Sequence, residues 1–264
     1  MSSLKARAAA KKTPKLSGSY FNLLTPGNPK TIKGQKKGYF TFILHFAPAN
    51  LSGYEVCANR TAVCTRLCLN IAGRGGIAKG GCLTMDLMAV GRTNSVQEAR
   101  KRRTRLYFEN RALFMALLVA DINKAIAWCA RHDFIPVFRL NGTSDIRWEL
   151  ASHEGRRLIA DIFSEIQFYD YTKLTNRKNI PANYHLTFSA AEDNAAECEE
   201  WMAAGGNVAM VFRDKQTVAR YIELDMDVFV GDDSDLRFLD PTGICALYAK
   251  GGVAKRDTGG FVRD

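Results

Sequence analysis

The sequence predicts an α/β protein, an irregular (β/α) barrel of the TIM type with an inserted Cys/Gly-rich loop region. From Phe134 onward, short runs dense in β-branched and aromatic residues alternate with longer amphipathic segments. That βαβα order calls for parallel strands joined by right-handed crossovers. With the run at 38–46 there are about seven strand candidates, which favours a complete or irregular barrel over an open doubly wound sheet. The chain length of 264 residues suits one such barrel.

Residues 1–16 read as a flexible basic arm and 17–264 as a single catalytic domain. The first strand is 38–46 (GYFTFILHF), from its aromatic and β-branched density. The Cys-rich insertion spans 50–91 and carries Gly73, Gly75, Gly76, Gly80 and Gly81. Helical patterns follow at 95–109 and 111–131, the second with Leu113, Leu117, Ala120, Ile122, Ile126 and Trp128 on one broad face. Further strands are expected at 135–140, 166–171, 184–189, 208–212, 228–231 and 244–249. Helices are expected at 148–163, 192–204 and 215–224.

Hydrophobic residues make up 47% and charged residues 24% of the chain, an ordinary globular balance. The longest apolar run, 112–126, is cut by Asp121, Asn123 and Lys124, so no membrane span is expected. The basic N-terminus has no apolar stretch behind it and does not read as a secretory signal. The expectation is a soluble, cytoplasmic protein. Its net charge of +10 is uneven: the first 54 residues hold nine Lys or Arg and no acid. A second basic block, Arg100, Lys101, Arg102, Arg103 and Arg105, lies on the first of the two long helices. Such clusters bind phosphates through counterion release. A solvated tail and helix face would look the same, but two separate blocks favour a nucleic-acid partner.

In parallel α/β folds the chemistry sits at the carboxyl ends of strands. Here those positions hold Asn141, Gly142, Thr143, Ser144 and Asp145; Asp170 and Lys173; Glu192 and Asp193; Asp214; and Asp232, Asp233 and Asp235. Any one of these acids could be a loop or N-cap residue, but their recurrence over five strand ends suggests function. Asn141–Asp145 carries more polar groups than a short turn needs. Asp232, Asp233 and Asp235 would repel one another without a cation or a proton between them. No G-x-S-x-G, P-loop or H-E-x-x-H motif is present. His45 and His185 fall within strands and read as packed residues. Acid–base or covalent chemistry therefore falls to carboxylates, and an Asp nucleophile suits attack at an anomeric carbon.

Cys57, Cys64, Cys68 and Cys82 fall within 26 residues of an expected intracellular chain. They are candidate ligands for zinc or an iron–sulfur cluster, with free buried thiols as the alternative. Cys245 is a possible replacement for the fourth. The glycines around Arg74 would let backbone N–H groups approach an anion.

The segment ending Gly73-Arg74-Gly75-Gly76, the run from Arg139 through Asp145 to Glu149, and the run from Gly231 through Asp235 to Pro241 together resemble a family of small bacteriophage proteins. That family is linked to 7-deazaguanine DNA modification, as relatives of tRNA-guanine transglycosylase. The resemblance covers roughly 17–264. It implies a transferase that exchanges guanine in double-stranded DNA for a 7-deazaguanine base such as preQ0. Asp145 would be the nucleophile, with Asp232 or Asp235 as the second catalytic carboxylate. Asn141, Ser144 and Asp170 would read the guanine edge, with Lys173 and Glu192 beside the substrate. The target base would leave the stack while Arg74, Arg100, Lys101, Arg102, Arg103 and Arg105 hold the backbone. The tRNA enzymes carry a late C-x-C-x2-C zinc motif that this sequence lacks, so Cys57, Cys64, Cys68 and Cys82 are expected to hold zinc or, alternatively, a 4Fe–4S cluster. Two other functions fit the sequence: an iron–sulfur redox or radical enzyme on a partial barrel, and a non-enzymatic nucleic-acid-binding protein.

Overall fold

A computed structural model of the chain describes residues 16, 20–26, 31–71, 73–78, 81–224 and 226–264. The expected basic arm lies outside the described residues, apart from Leu16. The architecture is α/β, built on a nine-stranded sheet. Its strands are β1 (Leu24–Pro26), β2 (Tyr39–Leu44), β3 (Ile135–Arg139), β4 (Gln167–Thr172), β5 (Tyr184–Ser189), β6 (Val208–Phe212), β7 (Val228–Val230), β8 (Ile244–Tyr248) and β9 (Val262–Arg263). The main helices are α1 (Ser95–Glu109), α2 (Arg111–Arg131), α3 (Ala195–Ala203) and α4 (Lys215–Glu223).

From β2 to β6 the strands lie side by side in chain order, every neighbour parallel. Right-handed crossovers that always advance one strand in the same direction keep their connections on one face, as in a barrel. The winding then breaks: β8 inserts between β6 and β7, and β9 pairs with Val211 and Phe212 of β6. At the other end β1 runs antiparallel to β2 through Leu24–Leu44, Thr25–Ile43 and Pro26–Phe42. The expected closed barrel is therefore not formed among the described residues; the sheet is open. The edge of β2 that closure would need is already hydrogen-bonded to β1. β1 is in turn fixed by Asp121, an acid inside the apolar α2, whose carboxylate accepts the N–H groups of Asn22, Leu23 and Leu24 at 3.1, 2.7 and 3.1 Å.

The two faces of the sheet differ as the period-2 pattern of its strands requires. Phe40, Phe42, Leu44, Phe138, Leu140, Phe168 and Leu186 join Phe114, Leu118, Ile122 and Ala125 of α2 in the main core. α2 is long and apolar enough to cross a membrane by length and composition; here its apolar side lies in this core. Alternate residues face the other side, where the segment 231–240 packs on the strands. Leu236 packs with Val137 and Tyr169, and Tyr39 and Phe238 close over them.

The expected helix at 148–163 is replaced by three short elements. These are a 3-10 turn at Trp148–Leu150, a hairpin of Ser152–His153 with Arg156–Arg157, and a π-helical turn at Leu158–Ile162. The cause is the Glu154–Gly155 turn, where both residues take positive φ (51° and 76°) and a right-handed helix cannot continue.

Candidate active site at the carboxyl ends of the strands

The loop after β3 is built by its own side chains. Asn141 Oδ1 accepts hydrogen bonds from Ser144 Oγ at 2.8 Å, Ile146 N–H at 2.9 Å and Trp148 Nε1 at 3.1 Å, while its Nδ2 donates to Ile146 O at 2.9 Å. Asp170, wholly buried on β4, accepts from Leu140 N–H, Asn141 N–H and the Tyr184 hydroxyl at 3.2, 2.8 and 2.9 Å. Asn141, Ser144 and Asp170, expected to read a base, thus have these polar groups engaged in shaping the loop. Gly142 is demanded by close approach: a Cβ there would lie 2.5 Å from Ile43 Cγ2 and 2.6 Å from His45 Nδ1.

This scaffold presents Asp145. Its Oδ2 accepts the backbone N–H of Lys173 at 2.7 Å, and its own N–H donates to Val56 O at 2.7 Å. Its Oδ1 is buried without a hydrogen-bond partner, 3.8 Å from Arg177 Nη1, which also has none. Arg177 is held by Glu149 through Nε–Oε1 at 3.0 Å and Nη2–Oε2 at 2.5 Å. Burial raises the Asp145 carboxyl above the usual range, against the opposing pull of the Lys173 N–H, Thr172, Arg177 and the Lys173 charge.

The Cys-rich segment folds over this mouth as a cover. Asn59 Nδ2 donates to Lys173 O at 3.0 Å, Val63 N–H to Glu192 Oε1 at 3.4 Å, and Arg66 pairs with Asp257 at 2.6 Å. Glu192 Oε2 is buried without a partner, and Lys173 Nζ donates to Ser189 Oγ at 2.9 Å. Cys57 comes to the edge of the Asp145 site, next to Val56, whose carbonyl accepts the Asp145 N–H. Burial pushes the Cys57 thiol well up, and Cys68, Asp145, Cys64 and Glu55 push it further. Burial also raises Cys68; its hydrogen bond from the Asn70 N–H opposes that, Cys64 adds to it, and the charges of Arg100 and Lys173 pull it back. Three thiols and a carboxylate are therefore electrostatic neighbours. Cys82 is exposed on the short hairpin of Ile77–Ala78 with Gly81–Cys82, and Cys245 is buried beside Gly231 and Arg237. Among the described residues, no three His, Cys, Asp or Glu are arranged to hold a metal ion.

The other expected acids belong to different surroundings. Asp235 is buried on the face opposite the main core, 3.4 Å from Arg139 Nη1 and 3.2 Å from the Tyr169 hydroxyl. Asp232 pairs with Lys250 at 3.0 Å and accepts the Tyr248 N–H at 3.2 Å, at the β7–β8 edge. The Asp145 carboxylate meets Lys173 and Arg177, whereas Asp235 meets Arg139 and Tyr169, and Asp232 meets Tyr248 and Lys250. The DNA-contact set also divides. Arg100 is buried, donating to Asn70 O and Oδ1 at 2.6 and 2.8 Å, which removes it from any phosphate contact. Arg103 is half-buried, Lys101 pairs with Glu98 at 3.1 Å, and Arg74, Arg102 and Arg105 are exposed. Gly75 and Gly76 serve close packing rather than an anion cradle, since a Cβ would meet Asn70 O at 2.4 Å and Ile71 O at 2.0 Å.

Arg177 and Tyr171 were not singled out from the sequence. Tyr171 lies on β4 with a buried hydroxyl that lacks a partner, under the Arg139 guanidinium at 4.7 Å from the ring centre. The only signal for either was a position at or just past a strand end. The open clefts at Ala160, Gln167 and Asn183 and at Arg111, Ala116 and His153 involve none of these groups.

A family model described as gene product 88 matches residues 22–264. The chain belongs to that family. No curated protein and no solved structure gives a significant match.

Proposed function

We propose that this chain of the gene product 88 family is an enzyme acting on nucleic acid, with a thiolate-held iron–sulfur centre under the Cys-rich cover and Asp145 as the proton-transfer group beside it. The observation that carries this reading is that Cys57, which has Cys64 and Cys68 as electrostatic neighbours, adjoins Val56, whose carbonyl accepts the Asp145 N–H, at the carboxyl ends of strands wound in order. Ionising three half-buried thiols next to a carboxylate is costly unless a cationic centre joins them. Four thiolates on zinc, at ~2.3 Å each, would have to crowd their sulfurs to within roughly 3.8 Å of one another. An iron–sulfur cluster is wider than a single ion, so three cysteines spaced further apart can hold it with one position left open. When bound, such a cluster supplies one-electron chemistry. Asp145, with Oδ2 clamped by the Lys173 N–H and Oδ1 without a hydrogen bond 3.8 Å from Arg177, can hold or release a proton at Oδ1. Lys173 and Arg177 supply the positive charge that offsets the carboxylate.

Anaerobic purification tests this. Brown protein absorbing near 400 nm is expected, with iron and sulfide lost in Cys57→Ala, Cys64→Ala and Cys68→Ala but retained in Cys82→Ala. A colourless protein carrying stoichiometric zinc overturns the reading.

Oδ1 of Asp145, which accepts no hydrogen bond and lies 3.8 Å from Arg177 Nη1, favours a second reading, exchange of guanine in double-stranded DNA for a preQ0-type base. Asp145 would attack the anomeric carbon, with the cysteines holding zinc. Asp232 or Asp235 would have to leave its present partners to serve as the second carboxylate. Nucleoside mass spectrometry of DNA incubated with protein and preQ0 decides it: unchanged deoxyguanosine removes this mechanism.

A further inference from the structure

We propose that Tyr54 and Phe108, with Arg102 and Arg105, form a stacking platform for single-stranded DNA at the entrance to the mouth. The inference rests on the nucleic-acid reading above and names how such a strand would be held. Tyr54 and Phe108 are stacked with ring centres 4.7 Å apart and planes 7° from parallel. Phe108 is 39% exposed, although an aromatic ring of that size is ordinarily buried. Arg102, Arg105 and Phe108 succeed one another at three-residue spacing along α1, so they share one face, and all three are exposed.

Arg105 is close enough to Tyr54 to act on its hydroxyl electrostatically, while that hydroxyl donates to Glu109 at 2.8 Å. Glu109 accepts from Tyr54, Glu55 pairs with Arg60 at 3.0 Å, and Glu98, one turn before Arg102, pairs with Lys101 at 3.1 Å, so each of these acids is engaged. Tyr54 stands just before Cys57 and Val56, whose carbonyl accepts the Asp145 N–H, at the start of the cover over Asp145. A pair of flat rings flanked by cations matches the two needs of a single strand, π-faces for bases and positive charge for phosphates. A duplex has its bases already stacked and would leave the rings unused, which is why a single strand is the occupant.

The test uses the full chain and a 5′-labelled 20-nucleotide single-stranded DNA, with affinity read by fluorescence anisotropy. Phe108→Ala and Phe108→Leu, the latter keeping apolar bulk without a ring, are each expected to weaken binding about tenfold with an unchanged circular dichroism spectrum. In Tyr54→Trp, indole emission should be quenched by the oligonucleotide but not by inorganic polyphosphate at matched charge. Wild-type affinity in a folded Phe108→Leu, equal quenching by polyphosphate, or tighter binding of duplex DNA or of single-stranded RNA each overturns the proposal. Oligonucleotide affinity is read with no reaction under way and metal content is read separately, so a failed active-site reading and a failed platform give different results.

Discussion

Asp170 of β4 accepts the backbone N–H of Asn141 at 2.8 Å, so the centre of one strand holds the loop that leaves its neighbour. The loop in turn sets Asp145 against Lys173 and Arg177. The carboxyl that organises the site therefore touches none of the groups proposed to react.

Burial raises Asp170 to about 7, despite the three donors that point at it. An acid whose folded value is raised binds its proton more tightly in the folded state, so its contribution to stability falls as pH climbs from roughly 4 to 7. Asp170→Asn removes this slope. Urea unfolding at pH 5 and pH 8 should show a larger penalty for the variant at pH 5. A penalty that grows towards pH 8 would contradict the assignment.

Gly142→Ala should destabilise the protein by roughly 1–3 kcal/mol, because the new methyl meets Ile43, His45 and the Leu44 carbonyl at once. Gly155→Ala has open space around it but keeps φ at 76°, and should cost only about 1 kcal/mol of backbone strain. Chemical denaturation of both variants compares them directly, and equal losses would refute the packing account.

Asp121→Ala should cost about 3–5 kcal/mol by leaving the N–H groups of Asn22, Leu23 and Leu24 buried or half-buried without their acceptor. Amide exchange should quicken first at Leu23 and Leu24, where β1 detaches from β2. Uniform quickening over the whole sheet would mean that Asp121 supports the core rather than the edge.

Arg100 and Arg102 should separate stability from binding. Arg100→Ala is expected to lower stability by roughly 2–4 kcal/mol, since Asn70 loses a buried charged donor. Arg102→Ala should leave stability within about 0.5 kcal/mol and reduce the salt slope of DNA binding by about 1. Thermal unfolding and a salt titration of oligonucleotide affinity read both. A binding loss in Arg100→Ala at full stability would place that guanidinium on the surface instead.

The sequence by itself determined the α/β class, the parallel run of strands and the two long helices. Period-2 and period-3.6 patterns are local and survive in any environment. Strands at Tyr184–Ser189 and Val208–Phe212 and helices at Ser95–Glu109 and Arg111–Arg131 match their expected bounds. It also marked Asp145, Lys173, Glu192 and the cysteines as residues at strand ends or in the inserted loop. It missed β1 and β9, two short strands whose existence depends on the partners they meet.

Only the tertiary structure decided that the sheet stays open, that Arg100 turns inward to Asn70, that Asp235 faces Arg139, and that Arg177 stands beside Asp145. The state of a polar side chain is set by neighbours 30 to nearly 100 residues away, as in Arg100 with Asn70 and Arg139 with Asp235. Burial makes each unpaired charge costly, so the folded environment selects which of many similar acids and arginines are paired and which are left free to react.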